Sequence, residues 1–239
     1  DVGSIFKPKV AMAWVMNDNA MIRGAYSGGF KAPGLPQTTA VDVARSNTRS
    51  DPVTQTSRGT LELRNGSDSL SPEESENYSF GIVLTPMKDL TLTVDWWEIQ
   101  QENTVGILSS QTLILYDALL RSQGSEYENV IRDENNEIVY IRNDYTNLLP
   151  REISGVDYSV DYRFETEMGN FSVKLSAANL TKFDQGTDAI TAMVLEAQDA
   201  GNEALLYEGD QVSISGTSGS LIRQNERPKW RANLSLGYA

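Results

Sequence analysis

Six side chains carry the groups through which this chain could do chemistry: Arg23, Asp95, Trp97, Asp157, Asp161 and Arg163. Each lies on a segment where polar and apolar residues alternate, so each points away from its apolar neighbours. Carboxylates, guanidinium groups and an indole on one surface can form ion pairs, share hydrogen bonds and stack on a ligand. Covalent chemistry has no such support. The chain has no histidine and no cysteine, which removes Ser-His-Asp and Cys-His mechanisms, imidazole and thiolate metal ligands, and disulfides. Nothing in the sequence pairs its carboxylates at glycosidase-like spacing. The expectation is a binding or conducting surface, not an enzyme, with no cofactor.

Three other clusters invite a chemical interpretation and carry a plainer one. Glu73, Glu74 and Glu76 crowd the start of one segment, and a run of charge is usually a solvated rim. Asp133 to Glu137 resembles a calcium loop, but Ile138 stands where that loop needs glycine. Gly28-Gly29 has no helix after it and therefore lacks the dipole of a phosphate cradle; a bend at a strand end explains it better.

The elements that must position the six residues are long strands. Residues 70–104 give the clearest pair. Tyr78, Phe80, Ile82 and Leu84 share one face of the first strand, Leu90, Leu92, Val94 and Trp96 share one face of the second, and Pro86 to Asp89 form the turn. Five more segments repeat the pattern, at about 8–16, 20–30, 152–165, 171–177 and 227–238. Val156, Tyr158, Val160, Tyr162 and Phe164, for example, alternate with Asp157, Ser159, Asp161 and Arg163.

Seven amphipathic strands fit two architectures. In a soluble secreted β-sandwich, such as a carbohydrate-binding or adhesin module, the apolar faces would pair across two sheets; in a membrane barrel they would face lipid. The connections favour the barrel. Short turns near 17–19, 86–89 and 166–170 alternate with connections of roughly 40 residues at 31–73, 105–150 and 185–226. Long structureless loops are uncommon in compact soluble domains, whereas short turns on one rim and long loops on the other suit an outer-membrane barrel. Charges on one face of long strands also suit a polar interior, because an unpaired charge in an apolar core is costly. Trp14, Trp96, Trp230 and Tyr238 then read as interface girdle residues on the lipid side.

Composition agrees. No stretch of the 239 residues nears 18 consecutive apolar positions, so helical membrane spans are excluded, while a barrel strand hides from hydropathy averages. A net charge of −13 argues against a nucleic-acid partner. Within the loops, 109–123 predicts a helix capped by Ser110, 188–200 predicts one capped by Asp188, and 130–142 predicts a hairpin around an acidic turn. Residues 38–69 hold little to bury and are expected to be mobile.

IRGAYSGGFKAPGL (22–35), LSPEESENYSFGIVLTP (70–86), LTLTVDWWEI (90–99), ISGVDYSVDYRF (153–164) and RPKWRANLSLGY (227–238) resemble, in order, successive blocks of the barrel domain of TonB-dependent outer-membrane receptors. That resemblance implies a Gram-negative outer membrane, a plugged barrel of about 22 strands, and TonB-driven uptake of a scarce nutrient: a ferric siderophore, cobalamin or an oligosaccharide. It implies the chain's own plug domain, the TonB complex, outer-membrane lipid and a small-molecule or oligosaccharide ligand as partners. Residues 1–239 read as part of one such barrel domain, an internal fragment with plug, TonB box and closing strands outside it, which alone should not transport. Within the barrel, Arg23, Asp95, Trp97, Asp157, Asp161 and Arg163 face inward; they contact the plug or substrate path, or pair with one another as wall charges.

Overall fold

Alternation of aromatic and β-branched residues with small polar ones gives long two-faced strands. The computed structural model describes residues 5–214, 218–224 and 226–239. β1 (Lys9–Asn17) and β2 (Ala20–Lys31) meet at a tight turn in which Asn17 Oδ1 accepts the Asn19 N–H at 2.9 Å. The first long connection carries α1 (Leu35–Thr39), β3 (Val43–Asp51) and β4 (Thr56–Arg64). β5 (Glu73–Met87) and β6 (Leu90–Glu102) form the next hairpin, where Asp89 takes a left-handed φ of 60°. The second connection carries β7 (Val105–Gly106), α2 (Ser110–Ser122), β8 (Val130–Arg132), β9 (Ile138–Arg142) and β10 (Thr146–Asn147). β11 (Arg151–Thr166) and β12 (Gly169–Gln185) make the third hairpin. The last connection holds α3 (Ala189–Asp199), a 3-10 turn (Glu203–Leu205), β13 (Leu206–Tyr207), β14 (Asp210–Gln211) and β15 (Gly219–Ser220), and β16 (Trp230–Tyr238) follows.

Seven long strands build one antiparallel wall in the order β1-β2-β5-β6-β11-β12-β16, with β15 added beside the loop end of β12. Register fixes the faces. Leu84, Leu92, Val160, Leu175 and Leu234 lie side by side across five strands. One end of this apolar face is marked by Phe164 stacked on Phe171 and by Tyr238 tilted against Phe171, with ring centroids 5.3 and 5.0 Å apart. The other is marked by Tyr26 and Tyr78 at 5.2 Å. Phe164 and Ser154, which neighbour these two levels, are ten residues apart on β11, or about 33 Å along a strand. The face between them is open to its surroundings: Trp230 is 55% exposed and Leu236 72%. Trp14 differs from its expected place at a strand end; it aligns with Ile22, Ile82 and Val94 in the middle of the band.

The buried core lies elsewhere. Leu115, Ala118 and Leu119 of α2 pack on Val194, Leu205 and Ile214 of the last connection, with Val53 of the first against them. The other side of α2 puts Leu113 and Ile114 on Val130 and Ile141 of the β8–β9 hairpin. A small sheet in the order β3-β4-β9-β8 joins the first two connections through a parallel contact of Glu62 and Leu63 with Ile141 and Arg142. All three long connections thus fold into one cap at one rim of the wall. No helix among the described residues is long and apolar enough to cross a membrane.

The segment 38–69 departs from expectation. It is an ordered β3–β4 hairpin, because its polar groups find partners where apolar ones are lacking. Arg49 Nε donates to Ser110 Oγ at 2.8 Å, and Arg58 pairs with Glu137 at 2.8 Å. Ser110, expected as the cap of α2, is instead its first residue; Ser109 holds the N-cap position and makes no side-chain bond there. Asp188 caps α3 as expected by accepting the Thr191 N–H at 2.9 Å.

Candidate functional site

The polar face of the wall is set by the same register. Arg23, Gly81, Asp95, Asp157, Ala178 and Arg231 form a single row across β2, β5, β6, β11, β12 and β16. Arg23 reaches over Gly81 to Asp95 two strands away, with Nε–Oδ1 at 2.9 Å and Nη2–Oδ2 at 2.6 Å. Only glycine permits this, since a Cβ at position 81 would fall 1.9 Å from Asp95 Oδ1. Asp157 lies directly opposite Asp95, and like charges so placed repel unless one is neutralised. The two-point contact from Arg23 does that. Asp157 itself is exposed and, among the described residues, belongs to no ion pair.

One row toward the cap, Trp97 lies over Gly155, where an added Cβ would meet the indole at 2.7 Å. Asp161 and Arg163 sit toward the short-turn rim, Asp161 about 13 Å along β11 from Asp157. Asp161 forms ion pairs with Lys174 at 3.3 Å and with Arg163 at 3.5 Å. The structure thus brings Arg23, Asp95 and Asp157 together, places Trp97 next to them, and keeps Asp161 and Arg163 as a separate pair.

The glutamates expected to be solvated are engaged. Glu73 receives Lys31 at 3.2 Å and the Val105 N–H at 2.9 Å, Glu74 pairs with Lys7, and Glu76 accepts the Tyr78 hydroxyl at 2.6 Å. The Asp133 carboxylate accepts the N–H groups of Asn135 and Glu137, each at 2.9 Å, so the acidic turn satisfies itself. Among the described residues no cluster could hold a metal ion.

Two groupings escaped sequence reasoning. In the cap, buried Arg132 donates from Nη2 to Asp51 at 2.9 Å and from Nε to Asp117 at 2.8 Å, and Arg121 Nε adds a 3.0 Å contact to Asp117. Burial alone would lower the Arg132 pKa, but the hydrogen bonds to Asp51 and Asp117 outweigh it and raise it, so this arginine stays charged. The second grouping lies on the polar face where the wall meets the cap. Arg151 and Arg227 hold their guanidinium carbons 5.7 and 4.9 Å from the ring centroid of Phe183. The only hint in sequence was an arginine at the end of each of two long connections.

With this geometry in place, the family model described as "TonB dependent receptor-like, beta-barrel" matches residues 1–239. The chain belongs to that family. The fold agrees with solved receptors. The siderophore receptor PirA of Acinetobacter baumannii superposes with a TM-score of 0.56 at 14% identity, over 99% of this chain and 27% of that one. A G324V mutant of the ferric enterobactin receptor PfeA of Pseudomonas aeruginosa gives 0.51 at 13% identity, over 100% of this chain and 33% of that one. The chain therefore spans about a third or less of the length of these receptors. No curated protein matches the sequence.

Proposed function

We propose that this chain supplies seven wall strands and three external loops to a single outer-membrane barrel that takes up a scarce nutrient with energy from TonB. The observation that carries this is the wall's asymmetry: an open apolar band bounded by two aromatic levels on one face, ion pairs on the other, and a folded cap at one rim only. For strands tilted about 40°, about 33 Å along a strand becomes about 25 Å across a bilayer, which matches the apolar band of outer-membrane barrels. A sandwich would need a second sheet on that band, and none covers it among the described residues.

In this proposal the polar face lines the interior. Arg23 and Asp95 act as paired wall charges, whereas Asp157, with Trp97 beside it, is available to the plug domain or a passing substrate. Asp161 and Arg163 line the lower path. The ligand is a ferric siderophore, with cobalamin and oligosaccharides as the alternatives; the names of the solved relatives, siderophore and ferric enterobactin receptors, favour the first. The test is uptake of radiolabelled iron chelates by cells expressing the full receptor, with and without TonB. Uptake is expected only with both. Equal uptake without TonB, or recovery of the receptor in the soluble fraction, sinks the proposal.

A further inference from the structure

We infer that Asn179, set between Trp96 and Trp230 on the apolar face of the wall, is a recognition site for a membrane glycolipid whose acyl chain is joined through an amide. The inference goes beyond the uptake function proposed above and rests on it in one respect, that this face meets lipid.

Register puts Phe80, Trp96, Val156, Asn179 and Trp230 in one row across β5, β6, β11, β12 and β16. Asn179 is the polar amide in an otherwise apolar and aromatic set. The row lies two residues, or about 7 Å along a strand, from the level of Tyr78, Glu98 and Ser154 that closes the band on the cap side. Polar side chains near that level satisfy one another. The Ser154 and Thr181 hydroxyls share a hydrogen bond at 2.9 Å, Lys182 pairs with Glu152, and Tyr78 donates to Glu76 at 2.6 Å. Asn179 differs. Its Oδ1 is buried and, among the described residues, has no hydrogen-bond partner, although Trp230 stands directly opposite and Trp96 two strands away.

An amide oxygen without a donor is costly on a surface that meets hydrocarbon, where no water can stand in for the missing partner. A membrane lipid supplies that donor only if it carries an N–H at this depth. Ester-linked chains present carbonyl oxygens alone, and ammonium headgroups lie farther out, in water. An amide-linked chain offers its N–H to Asn179 Oδ1 and its carbonyl to the Asn179 Nδ2–H, a reciprocal pair that an ester cannot complete. The surroundings suit a lipid built on a sugar. Tyr158 and Trp230 stack at 6.0 Å with 22° between their planes, one on each side of β12. Ala177 and Ala232, in register with Tyr158, leave room beside this pair. The rings give a sugar face, or the first carbons of a chain, an apolar platform next to the amide. Lys182 is already held by Glu152, so the uncharged amide is the selective contact.

The full-length receptor tests this in nanodiscs of phosphatidylethanolamine and phosphatidylglycerol that also hold one of two probes: lipid A, or its synthetic analogue in which esters replace the amide linkages. Lipid kept by the receptor after extraction into detergent is counted by native mass spectrometry. The native receptor is expected to retain lipid A about fivefold more than the ester analogue, the worth of one hydrogen bond. N179L should abolish that preference and still give the heat-modifiable folded band, since leucine suits a lipid face; N179V takes its place if that band is absent. W230L should lower retention of both probes alike. No preference in the native receptor overturns the inference, and so does a preference that survives loss of the Asn179 amide. A loss confined to lipid A in W230L would move the selective contact to the indole and overturn the assignment to Asn179. If the preference is absent while uptake still requires TonB, only the lipid site fails; if the receptor stays soluble without detergent or lipid, the uptake function fails with it.

Discussion

In the wall, residues chosen for the interior of most proteins face outward: Leu236 and Tyr238 are 72% and 68% exposed. In the cap, Ile114, Leu115, Val194 and Leu205 are fully buried and charged groups such as Asp117 are buried with them. The two regions differ because their surroundings do. Wall strands satisfy their backbone through neighbours and leave their apolar faces to a solvent that is itself apolar. The cap must exclude water by packing side chains, each large one contributing about 1.5–3 kcal/mol, and it spans three separate connections to collect enough of them. Order in the wall comes from hydrogen-bond register, and order in the cap from side-chain fit.

The sharpest way to break this contrast is to uncouple the cap while leaving the wall intact. Arg132→Ala leaves buried Asp51 without its cation and Asp117 with Arg121 alone, and should cost the cap about 3–5 kcal/mol. Amide exchange should accelerate in β3, α2 and β8, with β11 and β12 of the wall still protected; uniform acceleration would mean that the regions are one cooperative unit. The converse change is Leu175→Arg, on the lipid-facing row near mid-band. It should cost about 2–4 kcal/mol, seen as loss of the heat-modifiable folded band on gels, and no such loss would remove the lipid assignment.

Smaller effects sharpen the polar face. Gly155→Ala crowds Trp97 and the Asn179 carbonyl and should cost about 1–3 kcal/mol while altering tryptophan emission; an unchanged spectrum would show that the indole does not rest there. A double-mutant cycle of Arg23→Ala and Asp95→Ala should give a coupling of about 1 kcal/mol or less, since both groups are partly exposed. A much larger coupling would mean that the interior around them is drier than the open wall suggests.

The wall was legible because strand alternation is local. Tyr78 to Leu84 and Val156 to Phe164 announce their faces within a few residues, and the short turns at 17–19 and 86–89 announce their pairing. Helix signals such as Asp188 were legible for the same reason. What stayed hidden depended on contacts distant in sequence. Nothing near Arg132 points to Asp51, nothing near Thr56 to Arg64 shows that a polar hairpin will be ordered by its neighbours, and Gly81 reads as a weak spot in a strand until Arg23 and Asp95 are seen to cross it. Of the six candidate residues, the register grouped Arg23, Asp95 and Asp157 beyond what alternation alone could say. Arg151 and Arg227 went unnoticed because Phe183, which unites them, lies on a third stretch of chain.

The 81 residues separating Arg132 from Asp51, and the 151 between Gln55 and the Leu206 carbonyl it bonds, have a kinetic consequence. Such contacts close only after the hairpins between them have aligned. These contacts of the cap are therefore expected to form more slowly than the wall's hairpins, which pair neighbours in sequence.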